Sequence, residues 1–302
     1  MKKIIKENIN IISSIILWIS LLTNILLVFN MTSINIAALP GAYLITTIIL
    51  IFVTILSFFY YQKISSLKQD ELKKFLKIFW SGMTAIFTYF FFSNFQGIPL
   101  LLFTNNINSI PLKIKVIYLL IVEFLQLGII AYILKDEICT SIKDFKKNYK
   151  ELISSNIKYY LTALFIMAAS NLLISFLNPG NIAGNEEAVR ETFLKSPIYM
   201  FISAVFIAPF LEEFVFRQGI RNMISNDKVF IIASGLIFGG LHVIGNINSL
   251  VDILYLIPYS VPGIAFAYML TKTKNILIPA GFHFLHNGIT MSIQVIIIIF
   301  GL

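Results

Sequence analysis

Apolar residues fill the chain in runs of about twenty, and the short stretches between them collect lysine, arginine, glycine and proline. A helix of about 20 apolar residues crosses a bilayer, and on that scale spans are predicted near 9–29, 41–62, 78–103, 116–134, 159–178, 198–222, 229–245, 252–270 and 275–301. The fold class is therefore all-α, a polytopic transmembrane helical bundle of about eight or nine spans. The count turns on 252–270, where Asp252, Pro258, Pro262 and Gly263 predict a broken or re-entrant segment. Segment 135–158 has helical charge spacing. It divides an N-terminal region of four spans, 1–158, from a core, 159–302, that holds nearly all the intramembrane polar residues.

Composition agrees with the pattern: the 302 residues are 58% hydrophobic and 13% charged, against about 25% charged in soluble domains. The net charge of +8 does not point to nucleic acid, because the basic residues sit between apolar runs, where they set topology. Lys63, Lys68, Lys73, Lys74 and Lys77 mark one loop, and Lys135, Lys143, Lys146, Lys147, Lys150 and Lys158 another. With Arg221, Lys228, Lys272 and Lys274 they place alternate loops, and the N-terminus, in the cytoplasm. The run 9–29 after Lys2, Lys3 and Lys6 reads as an uncleaved signal anchor. Cys139, the single cysteine, excludes an internal disulfide and reads as an incidental thiol in a cytoplasmic loop.

One polar stretch breaks the apolar run 198–222. Glu212, Glu213 and Arg217 put three charges within six residues, each costing about 2.5 to 3.5 kcal/mol at the centre of a membrane helix. Two readings are open, an intramembrane site and an ion pair that locks helices together. Depth separates them. At about 1.5 Å per residue, Glu212 and Glu213 lie about 13 to 19 Å above the cytoplasmic end of their span. By the same measure His242 lies at about 20 Å, His283 at about 12 Å and Asn287 at about 18 Å on theirs. Helices of opposite direction thus bring these groups to one layer, predicting an active site in a mid-membrane cavity.

Spacing then divides the roles. Glu213 and Arg217 stand four apart, the favourable order for a helical ion pair, while Glu212, about 100° round the helix, points to the histidines and can serve as a general base for water. His283 and Asn287 share a face and can donate to a developing oxyanion. His286 lies near that face, either donating behind the site or standing beside it. Gly235 and Gly239 predict close helix approach, and Pro209 and Pro279 predict freed carbonyls. Glu123 and Gln126, on one face of the fourth span, predict interhelical hydrogen bonds.

Glu212-Glu213-x-x-x-Arg217, Phe238-x-x-x-His242 and His283-x-x-x-Asn287 resemble, in order, the three motifs of the CAAX-protease and bacteriocin-processing family of intramembrane endopeptidases. The resemblance covers about 159–302 and implies catalytic roles for Glu212, His242, His283 and Asn287, with Glu213, Arg217 and Phe238 supporting them. Glu212 and His242 would activate a water, and His283 and Asn287 would hold the oxyanion. No cofactor is required on this reading, although Glu212, His242 and His283 could instead supply three ligands to a catalytic zinc. The implied partners are a peptide or membrane-protein substrate and the lipid bilayer, and the implied setting is a bacterial plasma membrane. The competing functions are an ion- or proton-coupled transporter, which the lack of internal repeat symmetry disfavours, and a noncatalytic immunity or scaffold protein of the same fold.

Overall fold

In the computed structural model, residues 68–104, 109–180, 182–244, 247 and 249–300 are described. The predicted spans 9–29 and 41–62 lie outside them. The chain divides into Met1–Lys77 and Ile78–Leu302, and the packing below is that of the second unit. Its described residues form helices and no strands: α1 (Gln69–Phe95), α2 (Leu112–Ile133), α3 (Lys135–Leu177), α4 (Gly184–Lys195), α5 (Pro197–Met223), α6 (Asp227–Val243), α7 (Leu256–Thr273) and α8 (Leu277–Phe300). Among the described residues, five stretches are long and apolar enough to cross a membrane: Gln69–Leu100, Leu112–Ile133, Lys135–Leu177, Pro197–Met223 and Val251–Thr273.

Two elements differ from expectation. The charged segment 135–158 is no separate loop. It is the first half of α3, a single helix of 43 residues, so Cys139 is an exposed helical residue and the helix runs through 158/159 unbroken. At about 1.5 Å per residue such a helix exceeds twice the thickness of a hydrocarbon core. The interruption expected in 252–270 sits at its start, where Leu250–Tyr255 is a 3-10 turn whose Ser249 and Asp252 cap each other. Beyond it α7 continues as a helix with Pro262 inside.

The core lies where α3, α7 and α8 meet, with Tyr160, Phe266, Met269, Ile278 and Phe282 packed together. A second cluster of Phe193, Ala204, Val205 and Met291 ties short α4 to α5 and α8. The α6–α7 contact is the most extensive between helices, and it is close, as the Gly235 and Gly239 spacing predicts. A Cβ at Gly239 would stand 2.8 Å from the Ser260 nitrogen, and one at Gly235 2.8 Å from that of Ile264. The start of α8 is fixed by Asn275, whose Nδ2 donates to Asp144 (2.8 Å) and to the Ser141 carbonyl (2.9 Å) on α3.

Candidate active site

Helix α5 carries the central charges, and it is not a regular α-helix. Two wide π turns, Ile202–Ile207 and Phe214–Gly219, flank the short α-helical piece Ala208–Glu213. Such turns recur at functional sites because they rotate side chains and release backbone groups. The first has a cause in the sequence. The Ala208 amide reaches back to the Ser203 carbonyl, and in that register the next donor belongs to residue 209, a proline without an N–H. The Ala204 carbonyl left over accepts from Asn287 Nδ2 on α8, at 2.8 Å.

Glu213 and Arg217 form the expected pair, with Nε and Oε2 3.0 Å apart and both side chains fully buried. The contact is an ion pair without hydrogen-bond alignment, and Arg217 Nη2 has no hydrogen-bond partner among the described residues. Two other contacts hold the guanidinium. Nη1 donates to Ser234 Oγ at 3.4 Å, and Ser234 donates to the Phe216 carbonyl at 2.6 Å. The guanidinium carbon sits 4.5 Å from the Phe238 ring centre, the face-on approach of a cation–π contact.

The other oxygen of Glu213 has a task that the spacing did not reveal. Glu213 Oε1 accepts from His283 Nδ1 at 2.9 Å, which fixes the proton on Nδ1 and turns Nε2 toward Glu212. The distance from Nε2 to Glu212 Oε2 is 3.8 Å, too long for a direct hydrogen bond and short enough for one water to join them. His283 is clamped between Phe266, stacked at 5.5 Å, and Phe238, edge-on at 5.9 Å. Glu212 thus faces a histidine, as its position on the helix predicts, and Glu213 serves the same histidine from the other side.

His242 stands one ring away. Its Nδ1 donates to the Phe238 carbonyl one turn back, at 2.9 Å, because a carbonyl can only accept, and so Nε2 keeps a free lone pair. The imidazole packs on Phe238 at 4.5 Å and stacks on Tyr259 at 5.1 Å. Phe238 therefore touches both histidines and the arginine. His286 lies outside this group, edge-on to Tyr160 at 6.3 Å. Glu123 and Gln126 bridge helices as expected: Tyr199 donates to Glu123 at 2.7 Å, and Gln126 donates to the Tyr89 carbonyl at 3.0 Å.

Among the described residues no three His, Cys, Asp or Glu side chains are grouped so as to hold a metal. His283 Nδ1 is committed to Glu213 and His242 Nδ1 to its own helix, which leaves the Nε2 atom of each ring as the one open to a ligand.

Comparison with known proteins meets this geometry. Residues 194–289, which contain all three motifs, match the family described as type II CAAX prenyl endopeptidase Rce1-like. Over 173 residues the chain is 32% identical to an uncharacterised protein of Mycoplasma capricolum, an alignment covering 53% of this chain and 48% of that one. Over 157 residues it is 24% identical to the Bacillus subtilis protein titled "Putative membrane peptidase YdiL", covering 49% of this chain and 61% of that one. The matches thus span about half to three fifths of these relatives. No solved structure matches. Together the matches support a membrane peptidase at the level of the family.

Proposed function

We propose that the chain is an intramembrane endopeptidase that hydrolyses a peptide bond of a membrane-associated or leader peptide with water activated by Glu212. The supporting observation is His283 held between two carboxylates, bonded to Glu213 through Nδ1 and facing Glu212 through Nε2 at 3.8 Å. An ionised Glu212 and the Nε2 lone pair are both acceptors, and one water donating a hydrogen to each satisfies both. Glu212 takes the proton as the water oxygen attacks the peptide carbonyl, and the proton then passes to the leaving nitrogen. His242, with Nε2 open, assists as a second acceptor. Asn287 has one N–H on Ala204 and a second to offer the tetrahedral oxyanion.

No metal is used on this reading. The setting is a bacterial plasma membrane with the N-terminus in the cytoplasm, and the biological task is processing of a bacteriocin-type peptide or self-immunity against one. Cleavage of candidate membrane and leader peptides by the purified chain tests it. Glu212→Gln lowers kcat/KM by about 10²- to 10⁴-fold, while Glu212→Gln, His242→Ala and His283→Ala that all cleave normally as folded proteins would sink the assignment. Activity persists after chelation with the preparation assayed as metal-free, and a loss restored by added zinc would overturn the metal-free mechanism.

A further inference from the structure

The donor hydrogens of the motif residues are largely committed. His283 Nδ1–H serves Glu213, His242 Nδ1–H serves the Phe238 carbonyl, and one Asn287 N–H serves the Ala204 carbonyl. A peptide carbonyl turning into an oxyanion beside Glu212 needs donors aimed at it, and of these three side chains Asn287 alone keeps a second N–H for it. A further candidate donor comes from α1, outside residues 194–289.

Helices α1 and α5 run antiparallel and nearly touch. A Cβ on Gly82 would collide with the Gly219 carbonyl oxygen, and Asn222 Nδ2 donates to Ser81 Oγ at 2.9 Å. Tyr89 lies seven residues, two turns, above Gly82, and so on the same face of α1. Seven residues from Gly219 in the opposite direction along α5 stands Glu212. The Tyr89 ring leans toward its own N-terminus, as helical side chains do, and meets Phe216 edge-on at 5.0 Å. Phe216 in turn meets Phe238, the ring that touches both histidines, edge-on at 6.0 Å. The backbone there is pinned, since the Tyr89 carbonyl accepts from Gln126 and Ser93. The Tyr89 side chain is half-buried, a setting in which a tyrosine O–H normally finds a hydrogen-bond partner.

We propose that Tyr89 is a substrate-contacting residue of the same site, its hydroxyl donating a hydrogen bond to the carbonyl oxygen of the bound peptide. This rests on the peptidase reading and extends the site into the N-terminal region. No group is transferred: the phenol keeps its proton, and the hydrogen bond strengthens as charge develops on the oxygen.

Two measurements on the full chain test it. Tyr89→Phe keeps the ring against Phe216 and so its thermal unfolding matches wild type, while kcat falls about 10- to 100-fold with KM within about twofold, a smaller loss than from Glu212→Gln. Wild-type kcat in Tyr89→Phe, alongside an inactive Glu212→Gln, overturns the role of Tyr89 and leaves the peptidase reading standing. The second measurement needs no substrate. In a Cys139→Ser background, Tyr89→Cys in native membranes reacts with a small water-soluble maleimide because position 89 faces the cavity. Failure to react, when Glu212→Cys does react, overturns the placement even if no peptide is found that the wild type cleaves.

Discussion

The chain contains two Glu-to-Arg pairs at four-residue spacing, and they share little beyond that spacing. Glu186 and Arg190 on α4 meet at 2.9 Å with half or nearly half of each side chain in solvent (39% and 50%). Glu213 and Arg217 on α5 meet at 3.0 Å with none exposed. In water the first pair gains a few tenths of a kcal/mol. The second has lost its hydration altogether, and its attraction offsets that loss only because Ser234, Phe238 and His283 close around it. Spacing thus shows that a pair forms, and burial decides whether it is surface decoration or a scaffold for chemistry.

The difference can be broken most forcefully at Arg217. Arg217→Met leaves the buried Glu213 carboxylate without its countercharge, held by the His283 hydrogen bond alone, and it destabilises the fold by about 3–5 kcal/mol, read from denaturant titration in detergent. The double change Glu213→Leu with Arg217→Met recovers much of that stability, since apolar replacements of buried pairs are often neutral or better. Cleavage stays lost, because His283 no longer has its orienting carboxylate. A double variant as unstable as the single one would show that the pair itself, and not the orphaned charge, holds the helices together. Ser234→Ala, which strips partners from Arg217 Nη1 and the Phe216 carbonyl, costs about 1–3 kcal/mol. At the small end, Arg190→Ala shifts stability by about 0.3–0.5 kcal/mol, and a shift comparable to that of Ser234→Ala would erase the contrast between the two pairs.

Much of this was legible in the chain itself. Hydropathy located α2 and α5 to within a few residues, and counting residues along helices put Glu213 and His283, which bond each other, at neighbouring depths. The small-residue spacing of Gly235 and Gly239 identified a helix contact in which backbones approach directly. What escaped was every bond between distant residues that follows from helix rotation. Glu213 and His283 are seventy positions apart, and which oxygen meets which nitrogen depends on two π turns that no hydrophobic period reveals. One signal was present and underused. Pro209 announces a carbonyl without a donor, and an asparagine at matching depth on another helix is a natural partner. Tyr89 carried no motif, and its place beside the site comes from the approach of Gly82 to Gly219.

The glycine contact between α6 and α7 has a mechanical consequence. Helices that meet through side chains can slide by exchanging rotamers, but these two meet backbone to backbone, with no deformable layer between them. They move as one plank, and His242 and Tyr259, stacked across the seam, keep their alignment during any such motion. A peptide that enters from the lipid must therefore part the bundle along some other seam, so crosslinking α6 to α7 leaves turnover intact.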